Sequence, residues 1–273
     1  MRGILFLLCV FVGFSVQAER LISAGGSLTE IIFALGAEEQ LVGVDSSSQY
    51  PAAARALPDV GYYRALNVEG VLSVEPEKLL LLEGAGPEAV VNQLRSLGVG
   101  VNVINNPKSV EGLFTTIKQV ATATERSENG KALVKNIQQQ LLALDRLSSV
   151  KGKTAVFLMS AGERGLVAAG SDTTPQLVFD QLGLVNPFAS LAGFKSVSAE
   201  ILASSAPDIV LLASHTSRDT TEQQLCSEPQ LSLWANVQGC NLFKVDSLMF
   251  LGLTPRLPKA IEHTHTLLVT HAN

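Results

Sequence analysis

The 273-residue chain is poor in the residues from which most active sites are built: three cysteines, four histidines, three tyrosines, one tryptophan, and charged residues at only 16%. Cys9, Cys226 and Cys240 make no Cys-x-x-Cys pair and match no zinc-site spacing, which argues against redox-motif and zinc chemistry. Three of the histidines, His263, His265 and His271, crowd the C-terminal end and do not share one helical face, so they offer no divalent-metal cage. There is no basic run, and a formal net charge of −5 makes nucleic acid a poor partner. Ser160-Ala161-Gly162 and Gly25-Gly26-Ser27 look superficially like nucleophile or phosphate loops, but neither is completed to Gly-x-Ser-x-Gly or Gly-x-Gly-x-x-Gly. No catalytic residue is assigned, and an exported α/β enzyme stands only as a rival reading. Beyond the N-terminus, no apolar run reaches the roughly 20 residues of a membrane-spanning helix.

What is present begins with a secretory pattern. Arg2 precedes an apolar run from Ile4 to Val16, and Val16-Gln17-Ala18 fits a small-residue cleavage site. The expectation is a signal peptide over residues 1–18 and a soluble, monomeric periplasmic protein starting at Glu19. No cysteine sits at the cleavage point, so a lipid anchor is not expected. Cys226 and Cys240 are then an even pair in an oxidising compartment and are expected to form a disulfide. In the chain-entropy account a loop of that size contributes about 3 kcal/mol.

The rest of the chain alternates helix and strand signals, which predicts an α/β fold. Leu28 to Leu35 with Gly36 leads into Leu41-Val42-Gly43-Val44, and Val90 to Leu97 with Gly98 leads into Val99 to Ile104. Leu177 to Leu182 ends at Gly183 in the same way, each glycine supplying a left-handed cap. Ser27-Leu28-Thr29-Glu30 reads as a capping box, and Thr174-Pro175 as a hydroxyl cap before a first-turn proline. An internal repeat is more diagnostic. Val68-Glu69-Gly70-Val71-Leu72, Pro76-Glu77 and Leu79 to Leu82 recur as Ala199-Glu200-Ile201-Leu202-Ala203, Pro207-Asp208 and Val210 to Leu212. Each copy predicts a short helix, a turn and a buried strand. Between the copies, Glu125 to Val150 has apolar residues at helical spacing and predicts one long helix of some two dozen residues, about 35 Å. Two Rossmann-like lobes follow, 19–124 and 151–273, joined by a helix over 125–150, with a cleft between them and only small opening motions expected.

Gly61-Tyr62-Tyr63-Arg64 carries two of the three tyrosines beside a guanidinium. A phenolate is a hard anionic ligand suited to ferric iron, and it needs the metal or a nearby cation to form at neutral pH. The plain alternative is two packed aromatics and a solvated arginine. The repeat aligns Tyr62-Tyr63-Arg64 with Gly193-Phe194-Lys195 of the second lobe.

These segments, with Leu57 to Leu66, Glu69 to Leu82, Asp246 to Gly252 and Pro255-Arg256-Leu257, resemble the haem-binding periplasmic proteins of ATP-driven importers. Those proteins form part of the helix-linked siderophore and vitamin B12 binding family. The resemblance covers nearly the whole chain after the signal and implies capture of ferric haem and its delivery to an inner-membrane ABC permease and its ATPase. It implies that Tyr62 is the axial iron ligand and that Arg64 lies near haem and ligand. Tyr63 stacks on the porphyrin or points away. Ser27, Lys195 and Arg218 are candidates for the propionates, and His215 for a second nitrogen. The histidine that some relatives place after the strand Thr154 to Ser160 is absent, the sequence there being Met159-Ser160-Ala161-Gly162. Glu69 and Glu200 take the place of the acidic residues that pair with permease arginines. A ferric siderophore or a corrinoid is the alternative cargo.

Overall fold

The computed structural model describes residues 19–144, 147, 150–160, 165–216 and 219–270. The expected signal peptide and Arg218 lie outside the described residues. The first lobe contains β1 (Leu21–Ala24), α1 (Gly26–Ala34), β2 (Leu41–Val44), α2 (Val68–Leu72), β3 (Lys78–Leu82), α3 (Glu88–Ser96), β4 (Gly100–Ile104) and α4 (Val110–Ala123). Its four strands are all parallel in the order β2-β1-β3-β4. Next comes α5 (Ser127–Leu144). The second lobe contains β5 (Ala155–Ser160), β6 (Leu166–Ala169), α6 (Thr174–Leu182), β7 (Phe194–Val197), α7 (Ala199–Ser205) and β8 (Ile209–Ala213). It continues through α8 (Glu222–Ser227), α9 (Pro229–Gln238), β9 (Leu242–Val245), α10 (Ser247–Leu251) and α11 (Leu257–Thr270). Its sheet order is β7-β6-β5-β8-β9, parallel across β5, β8 and β9 and antiparallel at β6 and β7. The α/β class and the two-lobed architecture expected from the sequence are therefore present.

The internal repeat survives as backbone geometry. α2 and α7 are each capped by a side chain, Asn67 accepting from the Gly70 N–H and Ser198 from the Ile201 N–H. Each copy then turns through a left-handed residue directly before the proline, Glu75 at φ 47° and Ala206 at φ 44°. The strands that follow are central and almost wholly buried, as the apolar runs Leu79 to Leu82 and Ile209 to Ala213 require.

Several local expectations are corrected. The connecting helix, described over Ser127–Leu144, starts later than 125 because Glu125 adopts φ 57° and breaks the chain out of α4 before α5 begins; residues 145, 146, 148 and 149 of the expected 125–150 span lie outside the described residues. Its 18 residues span about 27 Å. α1 is capped by Gly25 instead of Ser27, and Glu30 does not reach back to its own helix start. Thr173, one residue earlier than expected, caps α6 by accepting from the Gln176 N–H.

α5 is fixed to the first lobe. Arg126 pairs with Glu39, Asn129 donates to the Leu35 carbonyl at 2.7 Å, and a Cβ on Gly130 would lie 2.5 Å from the Ala121 Cβ, so α4 and α5 pack closely there. One apolar core runs from Leu28 and Ile32 of α1, through Val134 and Ile137 of α5, to Phe157, Phe179 and Phe250 of the second lobe. At its edge the lobes are tied by charge. Arg256 donates to both Glu30 carboxylate oxygens at 2.8 and 2.6 Å and to Asp246 at 2.8 Å, while its guanidinium lies 4.0 Å from the centroid of the Tyr50 ring. Glu30 and Arg256 are 7% exposed, and 226 residues separate them in the sequence. Burial pushes the Glu30 carboxyl up and Arg256 opposes that rise, while Glu30 and Asp246 hold the Arg256 guanidinium above its ordinary value despite burial. Replacing Arg256 by Ala strands a buried carboxylate and is expected to cost about 3–5 kcal/mol in urea unfolding. A Glu30→Leu/Arg256→Met double variant is expected to regain most of that stability, and an equal loss in the double variant would contradict the account.

Candidate functional site

The tyrosine segment is held by a buried acid that sequence reasoning did not single out. Asp45, at the end of β2 and 1% exposed, accepts from the Gly25 N–H at 3.0 Å and the Ser48 hydroxyl at 2.8 Å on one oxygen. Its other oxygen takes the Ser47 N–H at 3.1 Å, the Ser47 hydroxyl at 2.7 Å and the Tyr63 N–H at 3.3 Å. A buried carboxylate this well supplied with donors is a rigid hub. It ties the start of α1 to the backbone that carries the tyrosines. The only sequence signal was an acid followed by Ser46-Ser47-Ser48 after an apolar strand. Gly61 enters the tyrosine segment at φ 96°, a conformation that side chains disfavour, and its carbonyl accepts from the Ser46 N–H.

The chain emerging from that turn separates the two phenols. Tyr62 is 44% exposed, whereas Tyr63 packs against two apolar cores and is half-buried. Their rings meet edge to face at 4.9 Å, and the Arg64 guanidinium lies 5.1 Å from the centre of the Tyr63 ring. Burial pushes the Tyr63 phenol above its ordinary value, with the Arg64 charge and hydrogen bond opposing the rise. Tyr63 is therefore held as the neutral phenol, and Tyr62 is the one presented to solvent.

Two adjoining cavities lie between the lobes, of about 250 and 210 Å³. Each alone falls below the roughly 300–1,000 Å³ of a typical small-molecule site. They share Arg64, Asn106, Leu251 and Gly252, so together they form one groove. Tyr62, Tyr63 and Ser27 line the first cavity, and Lys108, Thr174 and Phe194 line the second. The groove thus brings together Tyr62, Tyr63, Arg64 and Ser27 of the sequence-derived set. It does not bring in Lys195. Phe194 faces the cavity, and alternation along β7 sends the neighbouring lysine to the other side of the sheet, where it is exposed. His215 lines neither cavity; its ring Nδ1 is 2.6 Å from the Ser247 hydroxyl, which also accepts from the His215 N–H. Lys108 was missed because it is an isolated cation in the loop after β4. That loop is braced where the Asn106 N–H donates to Glu83 at 3.1 Å.

Elsewhere, Glu69 and Glu200 occupy matching first-turn positions on α2 and α7, both exposed. A hydrogen bond from Ser198, with backbone support, holds the Glu200 carboxyl below its ordinary value, so it remains an anion. Cys226 and Cys240 are disulfide-bonded, with Cα atoms 5.8 Å apart.

Two parallel-cored α/β lobes, a short helical connector and a groove between them define a two-lobed binding protein. The chain belongs to the periplasmic binding protein family, whose model matches residues 21–247. It is similar to the crystal structure of the periplasmic haem-binding protein HutB of Vibrio cholerae, with 35% identity, 92% of this chain and 98% of that one covered, and a TM-score of 0.83. It is similar also to the periplasmic haem-binding protein RhuT from Roseiflexus sp. RS-1 in its apo form, with 30% identity, 94% and 100% covered, and a TM-score of 0.85. Among curated relatives, the vitamin B12-binding protein of Salmonella typhimurium is 26% identical over 94% of this chain and 92% of its own length. No helix of the described residues is long and apolar enough to cross a membrane.

The opposed environments of the two phenols can be read directly. In a pH titration of tyrosinate absorbance, Tyr63→Phe is expected to remove a component that ionises above the ordinary phenol value. Loss of a component at or below that value instead would overturn the assignment.

Proposed function

We propose that this protein captures ferric haem in the periplasm and delivers it to an ABC permease of the inner membrane. The observation that carries the reading is the exposed Tyr62 phenol at the groove, set apart from a buried neutral neighbour. Similarity to HutB at 35% identity supports haem over a corrinoid, for which the curated likeness is 26%. Tyr62 would bind the iron as phenolate on one face of the ring. Arg64 lies at the junction of the two cavities, where its charge favours an anionic ligand and anionic cargo alike. Leu251 and Phe194 supply apolar walls, and burial of the ring provides most of the binding energy. Tyr63 acts as an anchor rather than a ligand. Asp45 and Gly61 fix the segment so that Tyr62 need not be ordered when cargo arrives, which removes part of the entropic cost of binding.

Glu69 and Glu200 would meet basic residues of the permease, one from each lobe. Their support is symmetry: the same turn of the same repeated unit, capped in the same way and exposed in both copies.

Hemin titration is expected to give a saturable Soret shift with wild type and a different, weaker spectrum with Tyr62→Phe. An unchanged spectrum in that variant would exclude Tyr62 as the ligand. Charge reversal at both Glu69 and Glu200 is expected to leave hemin binding intact. It should weaken association with permease-containing membranes by about 30-fold or more, in line with roughly 2–5 kcal/mol for losing a buried interfacial charge pair.

A further inference from the structure

Haem and the corrinoids are both built on a tetrapyrrole ring, and both occur among the ligands named for proteins similar to this chain. They differ at the rim. Haem carries two carboxylates on one edge, whereas the corrin ring of vitamin B12 is fringed with neutral amides. Carboxylate charge is therefore one feature by which a groove can tell them apart.

Resting on the haem reading above, we infer that the start of α1, with the Ser27 hydroxyl, is a carboxylate subsite that selects the porphyrin over the corrinoid, with Arg64 and Lys108 reinforcing it. Ser27 lies in the first turn of a nine-residue helix, lines the groove and is 9% exposed. Its Oγ is the one buried side-chain polar atom among the described residues without a hydrogen-bond partner. An unpartnered buried hydroxyl is a standing cost, and a ligand acceptor removes it. Gly252 of the second lobe lines the same cavity, and a Cβ there would come 3.5 Å from the Ser27 Cβ, so Ser27 lies where the lobes meet. The positive end of α1 adds a smaller attraction, shared with the Asp45 carboxylate that already accepts from the Gly25 N–H.

The charges lining the groove agree. Arg64 and Lys108 form no ion pair with any described residue. Of the acids lining it, Glu30 is neutralised by Arg256, leaving Asp172. A neutral amide accepts the Ser27 hydrogen bond less strongly than a carboxylate and gains nothing from the two cations.

The test compares three probes, hemin, hemin dimethyl ester and cyanocobalamin, on the wild-type protein and on Ser27→Ala and Lys108→Gln, with thermal melts to verify folding. Absorption follows the porphyrins and calorimetry the cobalamin. Ser27→Ala is expected to weaken hemin by about 10-fold, the scale of one hydrogen bond to a charged group, and to leave the ester unchanged. Lys108→Gln is expected to weaken hemin by up to about 5-fold and to flatten its salt dependence. Cyanocobalamin, like the ester, should bind more weakly than hemin. Equal affinity for hemin and its ester, or equal loss of both in Ser27→Ala, would overturn the carboxylate subsite while leaving haem as cargo. Cobalamin binding as tight as hemin would overturn the selectivity. Absence of any Soret change with hemin would remove the haem reading itself, and the subsite with it.

Discussion

The groove exists only because two lobes are held at a fixed spacing, and the interaction on which that spacing depends is the buried contact of Arg256 with Glu30. A guanidinium and a carboxylate removed from water are costly unless each is fully paired, so the arrangement tolerates little displacement. Here the pairing is bidentate, Asp246 supplies a third bond, and Tyr50 covers the guanidinium. Glu30 and Tyr50 belong to the first lobe and Asp246 and Arg256 to the second, so any opening at this edge would break a buried ion pair. The apolar core that continues from α1 through α5 into the second lobe acts in the same direction. Wide opening at this edge is therefore costly.

Within that frame the site divides labour between adjacent residues. Tyr63 is spent on packing, and its burial disfavours ionisation. Tyr62 is left in the open, on backbone fixed by the donors that converge on Asp45. The pairing Tyr-Tyr is thus one structural residue and one presented residue, and the backbone turn at Gly61 decides which is which.

Much of the fold was legible because its signals are local. Apolar runs bounded by glycine or proline became strands and helices, and the repeat was readable because both copies must solve the same turn before the same kind of buried strand. Where legibility failed, two local rules competed or a distant partner intervened. Ser27 and Glu30 have the spacing of a capping box, but Glu30 is drawn to Arg256 and Gly25 takes the cap position. Lys195 occupies the repeat position of Arg64, yet in the second lobe that position falls within an edge strand, whose alternation turns it away from the groove. Lys108 had no motif to announce it.

The sequence by itself determined the α/β class, the duplicated unit, the pairing of Cys226 with Cys240, and Tyr62-Tyr63-Arg64 as the segment to watch, since each follows from the chemistry of neighbouring residues. Only the tertiary structure decided that Arg256 and Glu30 join the lobes, that Asp45 anchors the tyrosine segment, that Ser27 is buried without a partner, and that Lys108 rather than Lys195 lines the groove. These depend on which residues meet across long stretches of chain, and on the direction a side chain takes from its strand or loop. No local pattern encodes either.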